Sequence, residues 1–163
     1  MKITRKIITL AIALLIALAS LTSCGVLFGT SVTGDVATLV LEAKDGQRTE
    51  YKIDLAELTD NSRGAYSLVL FASQKYGFPV DAGDGPFGAY LNSFGPVTPD
   101  AASGEYVALY TSVEKDFQVP TADFPTVGET THNGITLKSS GVGITSMSVE
   151  NETVILIKIE SWQ

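Results

Sequence analysis

Two residue types that often carry enzyme chemistry occur once each in this chain: Cys24 and His132. Covalent catalysis needs a nucleophile beside a base, and no Gly-x-Ser-x-Gly elbow supplies one. His132 lies in Thr131-His132-Asn133-Gly134, a polar turn. It reads either as an exposed loop residue or as a contact to a bound metal. Asp81-Ala82-Gly83-Asp84-Gly85 has the acidic, glycine-rich look of a calcium loop, but it lacks the alternating oxygen ligands and the late Glu that close such a shell. No Gly-Lys pair is set to cradle phosphate, and no carboxylate spacing singles out a glycosidase pair. These residue types argue against an enzyme and for no metal or cofactor of its own. What remains is aromatic: Tyr90, Phe94, Tyr106 and Tyr110, with Asn92 as a polar handle.

Those rings need strands to position them. Gly85 to Val113 reads as two antiparallel strands around a turn rich in Pro, Asp, Ser and Gly. If Leu91, Val107, Leu109 and Val113 face a core, the period of two sends Tyr90, Asn92, Phe94, Tyr106 and Tyr110 to the other side. A free face of that kind suits a flat ligand, a sugar ring or a peptide edge. The alternative is that the rings pack under the segment Glu114 to Asn133, completing a second small core.

The remaining elements frame this stretch. Val36 to Ala43 is a strand, Lys44-Asp45-Gly46-Gln47 a tight turn, and Arg48 to Leu55 a half-buried strand with charged residues at every second position. Asn61 or Ser62 is a candidate N-cap. Leu68, Phe71, Ala72 and Tyr76 then recur at helical spacing until Gly77 stops the helix. Phe78 to Gly85 reads as a crossover, and Glu114 to Asn133 as a long connection without helical period. Ile135 to Val149 has weak strand character, while Thr153 to Ile159 is apolar enough for a central strand buried on both faces. The order predicts an α+β domain, β-grasp-like, with one helix on a mixed four- to five-stranded sheet.

The N-terminal residues carry an address. Lys2, Arg5 and Lys6 precede an apolar run from Ile7 to Leu21, the length and charge order of a secretory signal. Leu21-Thr22-Ser23-Cys24 resembles the lipobox of bacterial lipoproteins, in which the Cys accepts lipid and becomes the first mature residue. The expected organisation is a signal peptide over 1–23, a tether over 24–34 and a domain over 35–163. The membrane is then a partner through acylated Cys24 (palmitate among its chains), with the domain in the bacterial cell envelope, outside the cytoplasm. Removing the three leader cations from the 11 Lys and Arg leaves eight against 18 Asp and Glu, a net charge of −10. Phosphate backbones would repel such a domain, which excludes nucleic acid as a partner.

Three segments together carry a family resemblance: Gly88-Ala89-Tyr90-Leu91-Asn92-Ser93-Phe94-Gly95, Gly104-Glu105-Tyr106-Val107-Ala108-Leu109-Tyr110, and Gly141-Val142-Gly143-Ile144. Residues 35–163 resemble the transcobalamin C-terminal-like family, β-grasp-like domains frequent in exported bacterial proteins. In vitamin B12 carriers the similar domain forms half of a clamp over the corrinoid. The resemblance implies a non-catalytic binding module with a corrinoid as a possible ligand and His132 as a possible contact to its cobalt. The alternative reading is an interaction lipoprotein that meets another envelope protein through the aromatic face.

Overall fold

The computed structural model describes residues 34–86, 88–123 and 125–162. The leader, Cys24 and all of the tether except Gly34 lie outside the described residues. Within the described residues no helix is long and apolar enough to cross a membrane.

Strands β1 (Val36–Glu42) and β2 (Arg48–Asp54) form the expected hairpin, with Glu42 opposite Arg48. Gly46 takes φ 81° in the turn, a conformation open to glycine without strain. Helix α1 spans Ala65–Tyr76 and ends at Gly77, whose left-handed backbone lets its N–H reach the Ser73 carbonyl. Its start differs from expectation, since neither Asn61 nor Ser62 caps it. The residue before the helix is Gly64, and the first free N–H groups, of Ala65 and Tyr66, donate to the carbonyls of Met147 and Ile144. A side chain at 64 would meet the Met147 carbonyl oxygen at 2.4 Å. The distant 144–147 segment therefore does the work of a capping side chain.

The stretch from Gly85 to Val113 is not a hairpin. Strand β4 (Gly88–Phe94) pairs with β3 (Val80–Gly85), the segment expected to be a crossover, in a separate two-stranded sheet. Strand β5 (Glu105–Thr111) enters the main sheet instead. The turn between them is built at Phe94 and Val97, which exchange both main-chain hydrogen bonds, while Gly95 at φ 54° donates to the Pro79 carbonyl. The chain thus changes layers where a simple return was expected.

The main sheet has six strands, not four or five. Strands β6 (Glu129–His132) and β7 (Ile135–Ser139) form a hairpin across Asn133-Gly134, both at positive φ (49° and 81°), as a primed two-residue turn requires. Strand β8 (Val154–Ser161) is central, giving the order β2-β1-β8-β5-β7-β6, with β1 and β8 parallel and every other neighbouring pair antiparallel. The sheet curls until its two edges meet: Arg48 on β2 donates to the Thr130 hydroxyl and the Thr131 carbonyl on β6.

Curling gives the sheet two different faces. The convex face presents Leu39, Leu41, Ile155 and Ile157 to α1 and to Leu91 and Phe94 of the small sheet, all buried in one apolar core. The concave face gathers Val40, Ala108, Tyr110, Leu137, Val154 and Leu156 into a second, smaller cluster.

Candidate functional site

The concave face turns polar toward the C-terminal end of β8. Val154 to Ile157 are buried without interruption, after which Lys158 and Glu160 alternate with Ile159. Antiparallel pairing sets Glu160 beside Tyr106, Lys158 beside Ala108 and Leu156 beside Tyr110, so these side chains share one face. The small Ala108 leaves room for its long neighbours. Both Tyr106 and Tyr110 donate their hydroxyls to Glu160, Tyr106 at 3.1 Å. Lys158 pairs with the same carboxylate at 3.0 Å and lies over the Tyr110 ring. Burial alone would raise the Glu160 pKa, but the hydrogen bonds from Tyr110 and Lys158 outweigh it and hold the carboxyl below its usual range. Burial, reinforced by the bond to Glu160, pushes the Tyr110 phenol well above its usual value. Burial also raises Tyr106, with the Glu160 charge adding to it.

Next to this cluster, Trp162 stacks on Tyr106 with centroids 4.4 Å apart and planes at 24°. The indole is 68% exposed, so its outer face is open. Its backbone N–H donates to the Gly104 carbonyl, which fixes it at the end of the β5–β8 ladder. On the other side, Gly128 backs the Tyr110 hydroxyl so closely that a Cβ there would fall 2.2 Å from it. An open groove of about 1370 Å³ runs between β5 and the chain around Gln118, Gly128 and Ser140, with Tyr106, Glu160 and Trp162 along it. Among the described residues Glu160 is the one carboxylate in that lining, and the cation that meets it, Lys158, lies outside the lining.

The sequence-predicted residues do not form one face. Tyr106 and Tyr110 point away from Val107 and Leu109, as their alternation predicts, and both reach the groove. Tyr110 is only 3% exposed and partly covered by Gly128, which realises the alternative of packing under the 114–133 segment. Tyr90 lies on the small sheet, 53% exposed, with its ring over Gly83. Asn92 is exposed on the same strand. Phe94 is fully buried, edge-on to Phe78 at 5.7 Å. The reason is a bulge: Ser93 pairs with Asp81 but Leu91 pairs with Ala82, leaving Asn92 as an extra residue. One inserted residue reverses the side-chain phase, so Phe94 turns inward with Leu91 and away from the side of Tyr90.

His132 sits at the seam between β2 and β6, with Nε2 3.0 Å from a Glu50 carboxylate oxygen that also accepts from the Asn133 amide. Among the described residues no group of three or more His, Cys, Asp or Glu side chains is placed to hold a metal ion. Sequence reasoning missed Glu160, Lys158 and Trp162. The signal was present, because a strand that is apolar throughout and then alternates Lys, Ile, Glu has one face leaving the core.

No family model matches the chain, and no curated protein does. Among solved structures, the chain is similar to a protein from Ruminococcus gnavus described as a "putative metal binding protein". The TM-score is 0.51 at 8% sequence identity, covering 79% of this chain and 99% of that one. At that identity the likeness speaks of the fold alone.

Proposed function

We propose that this chain is a non-catalytic binding module, lipid-anchored in the bacterial envelope through Cys24, that holds its ligand in the groove along β5. The observation that carries this reading is the Tyr106–Trp162 stack beside Glu160, with the outer indole face open to the groove. Fixed aromatic surface next to a single oriented carboxylate recognises a ligand at little cost in side-chain ordering. The absence of a nucleophile–base pair in the sequence supports binding without chemistry. One helix after a β-hairpin, and parallel pairing of the first and last strands, support a β-grasp-like reading of the domain with an added β6–β7 hairpin. The resemblance to transcobalamin C-terminal-like domains makes a corrinoid the first small ligand to try.

Trp162 is the only tryptophan, so its emission reports directly on the groove. Titration with cobalamin and with cobinamide, followed by fluorescence and by calorimetry, tests the reading. A saturable heat lost in Tyr106→Ala supports it, whereas no heat at high micromolar ligand removes the corrinoid. Loss of labelled palmitate in Cys24→Ala tests the anchor. A second reading, contact with another envelope protein, is favoured by one specific observation: the main-chain edge of β5 along the groove is open.

A further inference from the structure

Strand β5 is flanked on one side by β8 along its whole length, but on the other by β7 only at its end, through Tyr110–Ser139 and Thr111–Lys138. The ladder shows which main-chain groups this leaves over. Trp162 N–H donates to the Gly104 carbonyl and Ser112 N–H to the Val154 carbonyl, so the even-numbered positions of this strand bond to β8. Odd-numbered positions face the other way, as Ser140 N–H donating to the Leu109 carbonyl shows. Val107 therefore directs both its N–H and its C=O into the groove, and Leu109 its N–H. None of these three groups has a hydrogen-bond partner among the described residues. Val107, Ala108 and Leu109 all line the groove.

We infer that the groove accepts an extended peptide segment of another protein, which adds to β5 as a strand and carries a Lys or Arg onto the open indole face of Trp162. This rests on the second reading above and names its partner. Half-buried main-chain donors and acceptors at a strand edge are satisfied by another backbone in register, a fit that neither a sugar nor a corrinoid reproduces. The charge is also complementary. The groove is lined by Tyr106, Tyr110, Phe117 and Trp162 beside Glu160, which Lys158 already pairs, on a domain of net charge −10 that favours a cationic partner overall. A cationic side chain would lie over the open indole face of Trp162, drawn by the ring and by the net charge of the domain. The open edge, from Tyr106 to Leu109, accommodates about four residues of an added strand.

The probe is a displayed library of linear heptapeptides, selected against the full chain in detergent, with Val107→Pro as the counter-selection. Proline at 107 removes the groove-facing N–H and puts its ring in the path of an incoming strand. It leaves the β5–β8 bonds in place, because position 107 donates nothing to β8. Selected peptides are expected to share a Lys or Arg and to bind Val107→Pro at least tenfold more weakly. The decisive measurement uses the unaltered protein: each amide of a selected peptide is N-methylated in turn. Strand addition predicts losses of about tenfold or more at every second amide and little change between them. That alternation keeps the test valid even if Val107→Pro fails to fold. A flat N-methyl scan, or no enrichment over the counter-selection, overturns the inference. Cobalamin or an oligosaccharide changing Trp162 emission while no peptide is enriched overturns strand addition and leaves the groove standing as a binding site.

Discussion

The two faces of the curled sheet solve the same burial problem differently. On the convex face, Leu39, Leu41, Ile155 and Ile157 are wholly buried beneath α1 and the small sheet, within one large hydrophobic cluster. On the concave face, the curl itself supplies the cover. A short apolar floor of Val40, Leu137 and Leu156 gives way within two residues of β8 to Lys158 and Glu160. The first face stabilises by area removed from water, while the second uses hydrogen bonds and charge whose net contributions are smaller. A protein built this way can alter its concave end at modest cost, and that is the end where the groove lies.

The comparison predicts unequal costs for comparable changes. Phe94→Ala removes a fully buried ring from the convex-face core and should destabilise by about 3–5 kcal/mol in denaturant unfolding. Tyr110→Phe, in the concave cluster, gives up one hydroxyl bond and should cost about 1 kcal/mol. Equal costs for the two would erase the distinction between the faces.

Gly128 sharpens it. Its φ is not what requires glycine; the Tyr110 hydroxyl is, lying 2.2 Å from where a Cβ would stand. Gly128→Ala should cost about 1–3 kcal/mol through that overlap. Combining it with Tyr110→Phe should return part of the loss, because the nearest remaining ring atom would be 2.9 Å away. A double-mutant cycle on unfolding free energies measures this. Strict additivity would mean that Gly128 serves some purpose other than making room for the phenol.

The same contrast explains what could be read in the sequence. The β1–β2 hairpin, the helix with its Gly77 stop and the central last strand were legible because each rests on a local pattern: Asp45-Gly46, spacing near 3.6, an unbroken apolar run. The partner of β4 was not, because Val80, Ala82 and two glycines give too little side chain to show alternation. The phase of Phe94 was hidden by the bulge at Asn92, which no property of that residue announces. The β6–β7 hairpin did carry a local mark, Asn133-Gly134, but Glu129 to His132 has no apolar residue to identify it as a strand. As for the site, Tyr106 and Tyr110 were visible as aromatics, whereas Glu160 becomes their partner only through pairing across about fifty residues of chain.

Titration offers a test of the concave face, where a carboxylate and two phenols shift one another. Glu160 is held below its usual range, so its stabilising contribution is complete above the ordinary carboxylate value and is lost as pH falls through the folded one. Tyr106 and Tyr110 are raised, so theirs is present below the ordinary phenol value of about 10 and is lost as pH rises through the folded ones. Thermal unfolding should therefore show a plateau with losses on both sides. In Glu160→Gln the plateau should drop by about 1 kcal/mol, and both limbs should become shallower. An unchanged profile would mean the four-group cluster does not persist in solution.

The smallest effect is expected at the seam that closes the curl. Arg48 reaches Thr130 and Thr131 from β2, and Glu50 accepts from His132 and Asn133, but no main-chain ladder joins these two strands. Partly exposed polar pairs of this kind contribute about 0.2–1 kcal/mol each. His132→Ala should lower global stability by no more than that, yet hydrogen exchange of the β6 amides should quicken, because a strand bonded on one side opens locally before the sheet unfolds. If His132→Ala instead cost as much as Phe94→Ala, the seam would be part of the cooperative core. The concave face would then be a closed barrel interior, with a groove far less free to admit a partner.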